Sequence, residues 1–344
     1  MRTRSPAARI ALLIPIALLI VGASALLGPT APSWGEMLAP WRSTPDSPAI
    51  NTFWRFRVPR TGLAAAAGAG LAVGGVILQA LFRNPLAEPY TLGIASGASL
   101  AAAIGFFCGV TGYVGWLPIR TLLALIGAAG ALSAVYLMAR CRRQHDMTYL
   151  LLAGVCVAYL SAAGILLVTF LADATVTNEI VIWLMGSLGV YRPLASVEVI
   201  SALVLVLAFA ILSHRALDLL ALGEQLSATR GVAVSRIVWT AFVLVGLLTA
   251  AIVANCGPIG FVGLMVPHIA RTFCGVRTLP LVLGSALIGA AFLATCDGLG
   301  RVTLSIVHQR PIGYEFPVGV ITNILGAVFF FYLLATRDPA RATR

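Results

Sequence analysis

The sequence contains no lysine. All 23 of its basic residues are arginine, and residues of either charge make up only 10% of the 344 positions. A phosphate-binding loop of the G-x-x-x-x-G-K-[ST] type requires a lysine, so this chain cannot form one. The six cysteines contain no C-x-x-C pair and have no histidine at metal-ligand spacing. The sequence therefore supports neither a nucleotide-binding ATPase, nor a metal site, nor a disulfide framework.

Apolar residues dominate what is present. They account for 60% of the chain, and the mean hydropathy is +0.97, far above that of a soluble domain. The net charge of +11 is typical of a nucleic-acid binder, but the arginines lie in short loops between apolar runs of membrane-spanning length. Orientation in a bilayer explains these arginines more simply, so we predict a polytopic membrane protein with no nucleic-acid partner.

The apolar runs predict an all-α protein with about ten transmembrane helices. The predicted spans are 10–27, 62–82, 92–109, 121–139, 148–171, 194–212, 237–254, 257–271, 280–296 and 318–335. The first run follows Arg2, Arg4 and Arg9 and also fits a signal peptide. We favour a retained span, because the run is long enough to cross the bilayer and because counting it as a span makes the later arginines follow the positive-inside rule. The piece at 180–190 is too short to cross, and a half-helix at the outer face is expected there.

The distribution of arginine predicts the orientation. With ten spans both termini lie on one side, together with 15 of the 23 arginines, so the positive-inside rule places the termini in the cytoplasm. The rule is broken outside: Arg55, Arg57 and Arg60 crowd the start of the second span, and Arg301 and Arg310 lie between the last two. Either contact with lipid headgroups or docking of an acidic partner would account for an outward basic cluster.

Two further segments have a clear pattern. The loop at about 214–236 has apolar residues at helical spacing, interrupted by Gly223 and Gly231, which predicts two short amphipathic helices with a glycine break. The second span is dense in glycine and alanine, which predicts close packing of helices in lipid.

Several motifs resemble one family. They are RVPR at 57–60, RNPLAEP at 83–89, LGIASGA at 92–98, LALGE at 220–224, GPIGFVGLMVPHIAR at 257–271 and EFPVGV at 315–320. In this order, and over nearly the whole chain beyond the first span, they resemble the FecCD-type permease subunits of ABC importers for iron-siderophore, haem and cobalamin.

The resemblance implies the organisation of the transporter. It implies one transmembrane permease domain over residues 1–344, in the cytoplasmic membrane, working as a homodimer or with a paired homologue. The other implied partners are membrane lipid, cytoplasmic ABC ATPase subunits that hydrolyse ATP, and an extracytoplasmic substrate-binding protein. No cofactor, bound metal or enzymatic activity is implied for this chain. In this family the spans at 148–171 and 318–335 line the transport pathway.

The resemblance also assigns roles to residues. Docking of the binding protein is expected at Arg57, Arg60 and Arg301. Coupling to the ATPase is expected at Leu220, Ala221, Leu222, Gly223, Glu224, Arg230 and Gly231. The cytoplasmic gate is expected at Asn84, Leu86, Asp146, Met147 and Thr148. The second gate element is less well matched, because the family often has small hydroxylic residues where this chain has Asp146 and Met147.

Alternatives remain for the cargo and for the class of protein. We expect an iron chelate, either a siderophore or haem, since most of the family carries one, and cobalamin is the alternative. An ion-coupled secondary transporter would normally carry ionisable residues inside its spans, whereas the 12 acidic residues are expected in loops or near span ends. An intramembrane enzyme is not favoured, because there is no H-E-x-x-H and no paired intramembrane carboxylate. His268 is expected to be structural rather than a ligand.

Overall fold

The computed structural model describes residues 6–28, 52–90, 92–115, 117–140, 147–189, 193–306 and 315–336. Within these ranges the chain is helical apart from short connections and a small hairpin. The helices are α1 (Pro6–Leu26), α2 (Val58–Phe82), α3 (Ile94–Phe107), α4 (Ile119–Arg140), α5 (Met147–Leu171), α6 (Ala174–Leu184), α7 (Pro193–Leu212), α8 (His214–Leu222), α9 (Glu224–Thr229), α10 (Val234–Cys256), α11 (Val262–Cys274), α12 (Thr278–Ile306) and α13 (Val318–Thr336). Strand β1 (Tyr113–Val114) pairs antiparallel with β2 (Leu117–Pro118).

The prediction of an all-α polytopic membrane protein is confirmed. Eight helices in the described part of the chain are long and apolar enough to cross a membrane. A helix overlaps each of the ten predicted spans, but α3 and α11 have only 14 and 13 residues. At 1.5 Å per residue each covers about 20 Å, less than the ~30 Å hydrocarbon core. The count of about ten is therefore not confirmed, and the cytoplasmic location of the termini stays a prediction.

Left-handed backbone explains why α3 and α11 are short. Each starts only after a residue with positive φ, Gly93 at 75° and Phe261 at 67°. Residues 83–90, residue 92 and residues 257–260, shortly before these starts, form turns and irregular backbone rather than helix. The predicted spans at 92–109 and 257–271 are therefore each partly connection and partly helix.

Helix α2 is the central element of the fold. A π-helical turn, Phe53–Arg57, leads into it, and α2 then packs against α7, α8, α10, α11 and α12. Glycines allow these close contacts: a Cβ at Gly68 would lie 2.2 Å from the carbonyl oxygen of Gly289, and one at Gly75 would lie 2.0 Å from that of Gly263. The prediction of close packing along the second span is confirmed.

A buried amide reinforces the contact between α2 and α11. The Gln79 side chain donates from Nε2 to the carbonyl oxygen of Gly263 at 3.1 Å. Its Oε1 accepts a hydrogen bond from Nη2 of Arg271 at 2.5 Å. Both ends of this buried amide are thereby satisfied, and the α2–α11 crossing is held by polar contacts as well as by glycine.

Helix α12 corrects one prediction. The span was expected at 280–296, but the helix continues to Ile306 and includes Asp297, which is 1% exposed. The predicted end of the helix at residue 296 is therefore too early, and Asp297 lies within the helix rather than in a loop. The apolar pattern ends at Asp297, but the helix continues because partners on neighbouring elements neutralise this carboxylate.

The connection between α5 and α7 also differs from expectation. The half-helix predicted at 180–190 is α6, which begins at Ala174, inside the polar segment, and ends at Leu184. Asp173 explains the early start, since its Oδ1 accepts a hydrogen bond from the backbone N–H of Val176 at 2.8 Å and caps the helix.

Candidate functional site

Three buried arginines, one buried carboxylate and one exposed carboxylate form an ionic cluster where α2, α12 and the residues before α13 meet. We call the side chains of Arg57, Arg60, Asp297, Arg301 and Glu315 the outer cluster. Arg60 donates from Nε and Nη2 to Asp297 Oδ1 at 2.9 and 2.7 Å, and it also pairs with Glu315. Arg301 Nη2 lies 3.2 Å from Asp297 Oδ2. Asp297 therefore bridges two guanidinium groups, and Glu315 is the exposed member.

Helical spacing brings these side chains together. Arg57, Arg60 and Thr61 recur at three- and four-residue intervals, so they share the side of α2 that faces α12. Asp297 and Arg301 are four apart on α12 and likewise lie one above the other. Arg301 also donates from Nη2 to Thr61 Oγ1 at 3.3 Å and to the backbone oxygen of Ser24 at 3.0 Å. The cluster thus joins α1, α2, α12 and the residues before α13.

The three arginines assigned to docking are more buried than expected for residues predicted at an outer surface. Arg57, Arg60 and Arg301 are only 5%, 9% and 6% exposed. Arg57 packs on Gly28 just beyond α1, where a Cβ would lie 2.6 Å from its Cζ. Arg55, which no motif assigned, is exposed on the same turn. The structure brings the three arginines together, but docking by them stays a prediction.

The first gate element forms a tight turn after α2. Arg83 ends the helix with a left-handed φ of 49°. The Asn84 side chain then accepts a hydrogen bond from the backbone N–H of Leu86 at 2.9 Å, which fixes the turn. This leaves the Leu86 side chain 58% exposed just beyond the C-terminal end of α2. Of the second gate element, Asp146 lies outside the described residues, and α5 begins with Met147 and Thr148.

The same connection contains a buried carboxyl group. Glu88 is 6% exposed, beside Gly263 and the start of α11. Burial raises the pKa of the Glu88 carboxyl to about 7, although a hydrogen bond from the Phe261 backbone acts in the opposite direction. Burial and the nearby Glu88 charge also raise the pKa of the Tyr90 hydroxyl. The connection between α2 and α3 therefore contains an acid that titrates near neutral pH.

This acid predicts a pH dependence of stability. The folded pKa of Glu88, about 7, is above the ordinary value of 4.5, so the folded protein binds the proton more tightly than the unfolded chain does. Its contribution to the free energy of unfolding should fall between these two pH values and level off above 7. Glu88→Gln should remove this fall and be more stable than wild type at pH 8, by on the order of 1–3 kcal/mol.

Thermal unfolding of both proteins in detergent, from pH 4.5 to pH 8, measures this effect. Wild type and variant should be similar at the acidic end and diverge as the pH rises. A stability difference that stays constant over this range would rule out Glu88 as the titrating group.

The predicted coupling loop forms a compact projection, which we call the knob and which comprises residues 214–231. Helices α8 and α9 meet at Gly223, whose φ of 141° and ψ of 147° are disfavoured for any other residue. This confirms the prediction of two short helices with a glycine break. Leu217 and Leu220 are buried against the core, whereas Leu222 is 71% exposed.

The other residues assigned to coupling surround this break. Ala221, Arg230 and Gly231 are exposed, and Glu224 is half-buried at the first position of α9. The turn is closed by Ser227, which is buried and donates to the backbone oxygen of Gly223 at 2.7 Å. The knob thus has an apolar side fixed to the helix bundle and an exposed side that combines leucine with charge.

The comparisons with known proteins agree with this architecture. A model of the FecCD transport family matches residues 16–336. The chain belongs to the FecCD family. Together with the eight helices in the described ranges that are long and apolar enough to cross a membrane, this makes it a multi-pass protein of the cytoplasmic membrane.

Several FecCD relatives match over nearly their whole length. The Fe(3+) dicitrate transport system permease protein FecD of Escherichia coli (strain K12) is 36% identical, covering 95% of this chain and 98% of the relative. The hemin transport system permease protein HmuU of Yersinia pestis is 33% identical, covering 96% of each. The vitamin B12 import system permease protein BtuC of Vibrio cholerae is 34% identical, covering 88% of this chain and 86% of the relative.

A solved structure has the same fold. It is assigned to the metal-chelate type of ABC transporter and is in an inward-facing conformation. It matches this chain with a TM-score of 0.81 and 27% identity, covering 95% of this chain and 99% of that one. The arrangement of helices described above is therefore the arrangement found in a permease of this type.

Sequence reasoning missed the acidic half of the outer cluster. The apolar pattern places Asp297 at a span end, and Glu315 stands out only as part of a FecCD motif. The spacing of Asp297 and Arg301, four residues apart next to an apolar run, is the signal that predicts a pair within one helix. No local signal predicts that Arg60, more than 200 residues away, completes the cluster.

Proposed function

We propose that this chain is the permease subunit of an ABC importer that carries an iron chelate, a siderophore complex or haem, across the cytoplasmic membrane. The observation that carries the proposal is the 36% identity to the permease FecD over nearly the full length of both chains. The relative HmuU, named for hemin, supports the same class of cargo.

Cobalamin is the second candidate, because BtuC of Vibrio cholerae is 34% identical to this chain. Uptake into proteoliposomes that contain the permease, its ATPase and its binding protein distinguishes the two. Labelled ferric siderophore, haem and vitamin B12 would each be supplied with ATP inside. ATP-dependent uptake of an iron chelate is expected, and uptake of vitamin B12 alone would overturn the assignment of cargo.

The proposed transporter contains two permease subunits, which are two copies of this chain or this chain and a homologue. The substrate-binding protein would dock at the end with the outer cluster, where Arg57, Arg60 and Arg301 supply positive charge. Because Arg60 is already paired with Glu315, an incoming carboxylate would share or replace that partner. Such docking should be steered by charge. An association rate that does not fall as salt concentration rises would contradict it.

The cytoplasmic gate is proposed to consist of the Asn84–Leu86 turn together with residues 146–148. The exposure of Leu86 at the inner end of α2 supports this role, because an apolar side chain there can meet its counterpart on a second permease subunit. Leu86→Cys tests the gate: in a transporter reconstituted with two copies of this chain, the two cysteines should form a disulfide in the resting state, and where the second subunit is a homologue, cysteine is placed at its matching position as well. Absence of the cross-link under oxidising conditions would argue against this gate.

The knob is proposed to bind the ATPase. Leu222 and Leu226 are 71% and 42% exposed on it, and exposed leucines on a short helix suit an apolar groove. Leu222→Asp should reduce co-purification of the ATPase at least tenfold, because a carboxylate would be buried at the contact without a partner.

Val276→Asp is the matched control, since Val276 is 81% exposed in the short connection between α11 and α12, outside the knob. This control should retain the ATPase. If Leu222→Asp retains it as well, the knob is not the ATPase contact.

A further inference from the structure

An acidic side chain on the knob holds the beginning of α12. Asp218 Oδ1 accepts a hydrogen bond from the backbone N–H of Thr278 at 2.7 Å and one from its Oγ1 at 2.6 Å. Thr278 is the first residue of α12. The Asp218 carboxylate therefore satisfies a backbone donor that the start of a helix leaves free, and it does so from 60 residues away rather than from the local chain.

The knob cannot move independently of this contact. Leu217 and Leu220 flank Asp218 and are 0% and 2% exposed, and α8 packs against α2, α7 and α12. Displacement of the knob would move α8, which is part of it, and with α8 the Asp218 carboxylate. Because close-packed elements shift as units rather than deform continuously, the start of α12 would be displaced as well.

Helix α12 connects the knob to the outer cluster. It is one helix of 29 residues, and its proline, Pro280, lies in the first turn, where proline does not interrupt backbone hydrogen bonding. From Thr278 to Asp297 the rise is about 29 Å, which is nearly the thickness of the hydrocarbon core. At its far end α12 holds Arg60 through Asp297, and the carbonyl oxygen of Gly300 accepts a hydrogen bond from the backbone N–H of Phe316 at 3.3 Å.

We propose that Asp218 is a positioning residue that couples the knob to α12, so that α12 transmits motion between the ATPase side and the outer cluster. This inference rests on the proposed binding of the ATPase at the knob. Motion of α12 would reach Arg60 through Asp297, and it would reach the residues before α13 through Phe316. Neither Asp218 nor Thr278 touches cargo in this mechanism, and both act through the position of α12.

The test measures ATP hydrolysis by the reconstituted transporter, with and without its substrate-binding protein as purified from cells. In Asp218→Ala, the ratio of hydrolysis with the binding protein to hydrolysis without it, measured per ATPase bound, should fall at least threefold. Asp218→Asn keeps an acceptor oxygen and should retain stimulation. Combining Asp218→Ala with Thr278→Val should cause no further loss, because Asp218→Ala already removes both hydrogen bonds to Thr278.

Asp173→Ala is the matched control. Asp173 caps the start of α6 with similar geometry, Oδ1 accepting from the Val176 N–H at 2.8 Å, but it contacts neither the knob nor α12 in the described part of the chain. A general effect of a lost helix cap would reduce stimulation in this variant as well. If Asp218→Ala does not assemble, Thr278→Val, which removes only one of the two hydrogen bonds, should show a partial loss of stimulation.

The outcomes separate this inference from the proposed function. Full stimulation in Asp218→Ala, or equal loss in Asp173→Ala, overturns the coupling role of Asp218 while the proposed ATPase contact stands. If Leu222→Asp still binds the ATPase, the proposed contact at the knob fails and this inference fails with it. If wild type is not stimulated by its binding protein, no motion passes between the outer cluster and the ATPase, and the inference fails as well. Selective loss in Asp218→Ala, with retention in Asp218→Asn, supports the inference.

Discussion

Asp297→Ala is expected to destabilise the permease by about 3–5 kcal/mol, because it leaves buried arginines without their shared counter-charge. Asp297 accepts from Arg60 at 2.7 Å and lies 3.2 Å from Arg301, and its own side chain has no exposed surface. Arg301 would keep neutral oxygen acceptors, and Arg60 would keep Glu315. Thermal unfolding of purified protein in detergent measures the loss, and the fraction of monodisperse protein provides a second readout.

Glu179→Gln is the control for this prediction. Glu179 pairs with Arg120 at 3.6 Å, and both side chains are more than a third exposed, so the variant should change stability by no more than about 1 kcal/mol. If the two variants are equally stable, the outer cluster contributes no more than an ordinary surface ion pair.

Gly75→Ala is expected to have an effect of similar size, about 3 kcal/mol or more, at the upper end of the cost of overpacking. The added Cβ would lie 2.0 Å from the backbone oxygen of Gly263, so α2 and α11 would have to separate. This separation would also weaken the hydrogen bond from Gln79 to the same oxygen. The yield of folded protein and its unfolding temperature in detergent measure the effect.

Gly62→Ala is the matched control on the same helix, since nothing lies within 4 Å of the position of its Cβ. An unhindered glycine-to-alanine change inside a helix adds up to about 1 kcal/mol of helix propensity, so this variant should be as stable as wild type or more stable. If Gly75→Ala behaves in the same way, the close contact between the two backbones does not limit stability.

The knob is an example of a structure that the local sequence pattern predicts correctly. Apolar residues at helical spacing around Gly223 predict two short helices, and the structure has them. The reason is local: Gly223, with a φ of 141°, interrupts the helix whatever the rest of the fold contributes. That this is a helical membrane protein can be predicted from the sequence equally well, since a long apolar run has few other folded states in water or in lipid. The family motifs are short runs of neighbouring residues, so they too can be recognised from the sequence, and they indicate the FecCD family.

The lengths of the helices and the partners of the buried charged residues are harder to predict from the sequence. Helix α11 is shorter than its apolar pattern because a positive φ at Phe261 delays its start. Helix α12 is longer than its pattern because Asp297 is neutralised by Arg60 and Arg301. In each case the decisive interaction comes from another part of the fold or from backbone geometry that composition does not encode.

The segment from Arg57 through α2 to the Asn84 turn shows both contributions. The sequence by itself determined that arginines precede a glycine-rich span and that a proline-containing turn follows it, because charge, hydropathy and turn chemistry are properties of neighbouring residues. Only the tertiary structure decided that Arg60 and Arg301 share Asp297, that Gly75 meets Gly263, and that Asp218 holds the start of α12. Apart from Arg301 and Asp297, which are four positions apart on α12, these contacts join residues 60 to more than 200 positions apart, and the packing of helices around α2 decides which of them meet.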